Sequence, residues 1–163
     1  MNQKIRNFIP LAVAISGLTL VILGATQQLL RLGANDPQLQ MSRDYATNMA
    51  SHAFTNASLF QGPEKTNIAT ALAPFMIFYD SKGKIIVSTG ELNGKNPVIP
   101  PGVLDYAKQH NGETLTWQPE PGVRIATVIT PYSSSNSAGF VLAGRNMREV
   151  ESRIKNLEEK IML

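Results

Sequence analysis

The stretch PFMIFYDSKGKIIVS, residues 74–88, decides the fold. Phe75 to Tyr79 is aromatic and β-branched, and Ile85 to Val87 matches it. Between them Asp80 to Gly83 carries turn chemistry, with Gly83 free to take a positive φ. This is a β-hairpin, and the rest of the chain is read outward from it.

Downstream, Thr89 to Gly102 is broken repeatedly by Gly and Pro and reads as an irregular loop. A short helix is predicted over Val103–Gln109, stopped by Asn111 and Gly112. Three strands come next. In Glu113–Gln118, Leu115 and Trp117 share one face. Pro119 to Gly122 turns the chain into Val123–Tyr132, where Val123, Ile125, Thr127 and Ile129 share a face. A polar turn then leads to Ala138–Arg145. From Arg145 to Leu163 the period is helical: Met147, Val150, Ile154, Leu157 and Ile161 form an a/d seam, although two heptads do not establish a coiled coil.

Upstream, Asp36 is a good N-cap and Pro37 suits the first helical position. No Gly or Pro interrupts the chain to Phe60, so a helix is allowed there, with Leu39, Ala46, Met49, Ala50, Ala53, Ala57 and Phe60 as its apolar stripe. Gly62 and Pro63 end it. His52 lies on this helix.

From Phe8 to Ala25 there is no charge. As a helix these residues would rise about 27 Å, close to the hydrocarbon thickness of a bilayer. Ser16 and Thr19 can bond back to helix carbonyls, and Pro10 falls in the first turn, where a missing N–H costs little. A cleaved signal peptide is the competing reading, but the apolar run is long for one and Leu23 occupies the −3 position of the best cleavage site. With Lys4 and Arg6 before the span, the positive-inside rule keeps the N-terminus in the cytoplasm and exports the chain beyond the span. The expected divisions are residues 1–7 in the cytoplasm, 8–32 as transmembrane anchor, 33–147 as an extracytoplasmic domain, and 148–163 as a C-terminal helix.

Charge excludes one class of partner. The chain has 15 Lys and Arg against 12 Asp and Glu. Lys4, Arg6 and Arg31 account for the whole excess, so the exported part is formally neutral and has no basic stripe for nucleic acid. The chain has no cysteine, hence no disulfide framework or thiolate metal site.

The predicted fold class is therefore α+β: an N-terminal transmembrane helix continuing to a long helix, then a five-stranded antiparallel sheet and a C-terminal helix. One face of the sheet would lie under the long helix, and the other would form a pocket roofed by Thr89–Gly112.

This order resembles the extracytoplasmic PAS-like domains of bacterial membrane receptors, the single Cache or PDC sensor class. The likeness rests on the long helix after an anchor, on FYDSKGKIIVST (residues 78–89), and on GFVLAGRNMREVESRIKNLEE (residues 139–159), which resembles the exit from last strand to signalling helix. The resemblance implies a sheet of order 2-1-5-4-3, small-molecule sensing, a homodimer, and signalling by helix displacement. In such receptors the last helix enters a second span toward a cytoplasmic output domain. Lys160 to Leu163 reads as the first residues of that span, so the chain is expected to be cut before it; the alternative is a sensor acting through a separate output partner.

Catalysis finds little support in the residues. His52 and His110 are far apart in sequence and no ligand cluster surrounds either, so no metal, no cofactor and no enzymatic activity are expected. His110 reads as a helix-end residue. The candidate ligand-binding residues are Arg124, Tyr79, Trp117 and Tyr132. Arg124 is a charge in an apolar strand, on the face of Ala126, Val128 and Thr130, able to take a carboxylate or to snorkel outward. The three aromatics could line one cavity, with Trp117 equally suited to the core. Arg145 reads as a tether at the junction with the last helix and Asp80 as a turn residue. The function expected is an extracytoplasmic small-molecule sensor module. The alternatives are a membrane-anchored binding or scaffold protein of the envelope without a small ligand and, further off, an anchored hydrolase.

Overall fold

The computed structural model describes residues 3–33, 36–51, 65–135 and 137–161. Helix α1 spans Gln3–Gly33, and its segment Phe8–Leu29 is long and apolar enough to cross a membrane, with none of that window buried in the protein. Thr19 and Thr26 return their hydroxyls to the carbonyls of Ile15 and Ile22, at 2.9 and 2.8 Å. The helix begins earlier than expected, so Pro10 stands inside it rather than in its first turn. The residue still lies close to the N-terminal end, where one lost hydrogen bond is tolerated.

Helix α2 spans Asp36–Ala50 and buries Gln38, Ser42, Ala46 and Met49, a stripe at helical spacing. The expected continuation to Phe60, the stop at Gly62 and Pro63, and His52 lie outside the described residues. The sheet contains β1 (Phe75–Asp80), β2 (Ile85–Ser88), β3 (Glu113–Glu120), β4 (Val123–Ser133) and β5 (Ala138–Asn146). Between β2 and β3 lies helix α3 (Val103–Gln109), and the chain leaves the sheet into α4 (Arg148–Ile161). The strand order is β2-β1-β5-β4-β3 with every pair antiparallel. This is an α+β fold, and its strand order is the one that the resemblance implies.

Both faces of the sheet are covered, which explains why β1 and β5 read as unbroken apolar runs. Met76 and Phe78 of β1 face α2, where Ala46 and Met49 meet Val87, Tyr132, Val141 and Ala143. Tyr45 of α2 sets its ring edge-on to Phe78, centroids 5.6 Å apart. Phe75, Ile77 and Tyr79 face the other way and join Trp117, Ile125, Ile129, Phe140 and Leu142 under Ile99 and Ala107. The covering segment runs from Leu92 through α3.

Two local features depart from the expectations raised by the sequence. Thr66–Asn67 pairs in parallel with Gly90–Glu91, a two-residue ladder too short to leave a periodic signal. Strand β3 continues past Gln118 to Glu120, with a bulge where Trp117 faces Ile125 and Glu120 faces Val123. Pro119 has no N–H for the ladder, and the extra residue falls there. Of the expected α4 seam, Met147 and Ile154 are buried, and α4 touches α1.

Glycine sets the tightest contacts. The ring of Phe75 lies between Gly90 and Gly144, and a Cβ on either would come within 2.7 and 2.5 Å of it. No larger residue fits at either position without displacing that ring.

Candidate functional site

The hairpin turn builds one wall of the candidate site. Asp80 Oδ1 accepts the N–H groups of Lys82 and Lys84, at 2.9 and 2.8 Å, and Gly83 takes a φ of 78°. Asp80 is thus the turn residue its sequence suggested. The opposite wall is the Val98–Gly102 segment, which enters α3 through Gly102 at a φ of 85°. Ile99 is buried beneath it, whereas Val98 is 73% exposed. Between the walls lies an open pocket of about 590 Å³, with Tyr79 and Phe140 among its lining, Ile85 and Leu104 at its sides, and Lys82, Lys84 and Asp105 contributing charge.

Tyr79 is the chemically unusual member. The residue is 2% exposed, and its hydroxyl is closed off from solvent with no hydrogen-bond partner. Burial pushes its pKa well above the ordinary tyrosine value, so the group stays a neutral phenol. An unpaired buried hydroxyl costs about 1–3 kcal/mol, and a ligand that reached it on displacement of the covering segment would recover part of that.

The structure does not bring the four sequence candidates together. Tyr79 and Trp117 share the loop-side core, where Trp117 is 4% exposed. Tyr132 packs on the opposite face, beneath α2. Its pKa is raised by burial and by the nearby Asp80 charge. It borders a second, smaller pocket with Ser81, Lys108 and Phe140. Arg124 lines neither pocket. Its guanidinium pairs with Glu151 of α4, and both side chains are more than a third exposed. The conflict with a shared cavity is one of parity: Tyr132 and Arg124 are even-numbered on β4, on the helix side of the sheet, where Thr130 and Tyr132 meet α2 and Arg124 meets α4.

No protein-family model matches this chain, and no curated protein sequence matches it.

His110 behaves as a helix-end residue. Its N–H and Nδ1 both lie 3.0 Å from the Tyr106 carbonyl, and its ring stacks on Tyr106 at 3.8 Å. Among the described residues no group of His, Asp and Glu is placed to hold a metal. Arg145 does tie the strand–helix junction, donating to the Leu72 carbonyl at 3.0 Å and to Glu149.

Two residues escaped the sequence reading. Gln38 is fully buried with neither amide atom paired, a state no local pattern announces. Asn146 is buried and accepts at 2.8 Å the N–H of Arg148, the first residue of α4. An Asn just before a helical run favours such a bond to the backbone two residues on, and that signal could have found it.

Proposed function

We propose that this chain is the extracytoplasmic sensor module of a membrane receptor, of the PAS-like single Cache type. One observation carries the reading: a sheet of order 2-1-5-4-3 stands between a helix long enough to span a membrane and a charged helix leaving the last strand, and those two helices touch. In such an arrangement a change in the domain can reach the membrane through α1 and α4 together. With the N-terminal Lys4 and Arg6 held inside, the domain lies outside the cytoplasm. The pocket beside Tyr79 is the site at which a small ligand would act, by binding two packings of the covering segment unequally. A homodimer and an output domain on a further or separate chain belong to the same reading.

The experiment is a thermal-shift screen of the full chain in lipid nanodiscs against small carboxylates, amino acids and amines. A ligand at a hundred times its Kd adds about 2.7 kcal/mol of stability. The sensor reading expects at least one such shift, diminished in Tyr79→Phe; a screen with no shift at millimolar ligand counts against it.

A second reading, an envelope binding or scaffold protein without a small ligand, is favoured by the filled loop-side face. Trp117, Ile125, Ile129 and Leu142 occupy the space that a deep central cavity would need. This reading expects no compound to shift the stability of either wild type or Tyr79→Phe.

A further inference from the structure

One short piece of chain joins the covering segment of the pocket to the root of α4. On one side, Thr66 donates its N–H to the Thr89 carbonyl at 2.7 Å and Ile68 donates to Glu91 at 3.0 Å. Lys65 adds a bond to Asn96 at 2.8 Å. Residues 65–68 are thus laddered to the start of the covering segment, which continues through the reciprocal Leu92–Lys95 backbone bonds.

The carbonyls just beyond are taken by side chains of the β5–α4 junction. Asn146 Nδ2 donates to Ile68 at 2.7 Å and to Ala69 at 3.1 Å. Arg148 reaches the Thr70 carbonyl at 2.7 Å and Arg145 the Leu72 carbonyl at 3.0 Å. Arg145 also reaches α4, through Glu149, but Asn146 is the buried member that faces both ways. Its two donors hold this segment while its Oδ1 accepts the N–H of the first residue of α4. The Phe75 ring wedged between Gly90 and Gly144 leaves little slack between the ladder and β5.

We propose that Asn146 is a positioning residue that couples the covering segment of the pocket to the exit helix. A displacement of Gly90–Leu92 moves Ile68 through the ladder, and Asn146 converts the movement of Ile68 into a movement of the first turn of α4. The route goes beyond the sensor reading because it is set by the fold and requires no particular ligand. By linkage it runs in both directions, so disturbing Asn146 must be felt in the covering segment.

Asn146→Asp separates the two roles. Aspartate keeps an oxygen for the Arg148 N–H and favours the same bond to the backbone two residues on, but it has no donor for the Ile68 and Ala69 carbonyls. The test is amide hydrogen exchange on the full chain in nanodiscs. In Asn146→Asp, exchange should accelerate about tenfold at Thr66 and Ile68 and also at Leu92 and Lys95, while Glu151 stays within about twofold. Acceleration confined to Thr66 and Ile68 would make Asn146 a local tether and overturn the coupling. Acceleration confined to α4 would reduce it to a support of that helix and overturn it as well. Should the buried carboxylate prevent folding, Arg148→Ala removes an exposed side chain from the same route. It should speed the same four amides about threefold, and unchanged rates at Leu92 and Lys95 would sink the proposal. A ligand screen without hits leaves these rates untouched, so the two readings fail separately.

Discussion

Tyr79 and Tyr132 flank the same end of β5 and point to opposite faces of the sheet. Tyr79 is in register with Phe140 and Tyr132 with Gly139. A Cβ on Gly139 would stand 2.1 Å from the Tyr79 carbonyl and 2.8 Å from the Tyr132 hydroxyl, so this glycine lets the two tyrosines close around the strand. Only Tyr79 has a hydroxyl both buried and unpaired among the described tyrosines.

That difference has a pH signature. In the folded chain the Tyr79 phenol resists ionisation, whereas in the unfolded chain it ionises near pH 10. Its contribution to stability is therefore fully present below about pH 10 and is lost as the pH rises above it. Tyr79→Phe should be neutral or stabilising by about 1 kcal/mol at pH 7, because no hydrogen bond is lost. It should also lose less stability than wild type between about pH 9.5 and 11. Denaturant titrations across that range check this, and parallel pH profiles for the two proteins would refute it.

Gln38 makes the second case. Its amide is fully buried in α2 without a partner, one turn before Ser42, whose hydroxyl bonds Thr130 at 2.8 Å. The neighbouring positions thus have opposite expectations. Gln38→Met keeps the volume and removes unmet polar atoms, so it should raise stability by about 1–3 kcal/mol. Ser42→Ala breaks a made bond and should cost about 1 kcal/mol. Equilibrium unfolding of the two variants decides the matter; a loss of stability in Gln38→Met would mean that the amide is satisfied after all.

Much of this architecture was legible because it rests on local chemistry. The Asp80–Gly83 turn, the limits of α3 and the alternation of Leu115 and Trp117 all appear where turn residues and periodicity put them. The site was less legible because it depends on which face each strand buries. Both faces of β4 are buried, so alternation could not say whether Arg124 or Ile125 faced the covering segment. The ladder of Thr66–Asn67 with Gly90–Glu91 joins residues distant in sequence, and the Asn146 donors act across a still wider gap. Contacts of that range leave no period in the chain.

The wedge formed by Phe75 gives a packing prediction. Gly144→Ala places a methyl 2.5 Å from the ring, in a core with no room to relax. It should destabilise the domain by about 2–3 kcal/mol, as overpacking does. Phe75→Leu alone should also cost stability, by leaving space beside both glycines. Combined, the two should cost less than the sum of the single changes, since the methyl fills part of the space that the ring vacates. Additivity in this double-mutant cycle would show that the methyl is accommodated elsewhere.

Arg124 and Glu151 supply the last test, because their pair joins the start of β4 to α4 from outside. The Arg124 carbonyl also accepts the Met147 N–H at 2.8 Å, and a side-chain substitution leaves that bond in place. The ion pair is exposed, with side chains 41% and 37% accessible, so its coupling in a double-mutant cycle should be about 0.2–1 kcal/mol. It should weaken further between about 0.05 and 0.5 M salt as screening shortens the reach of the charges. If Arg124 instead bound an anionic ligand, Arg124→Ala would abolish a carboxylate response in the thermal-shift screen while Glu151→Gln preserved it. The geometry expects the reverse: any ligand shift survives Arg124→Ala, because the guanidinium lies outside the pocket that Tyr79 lines.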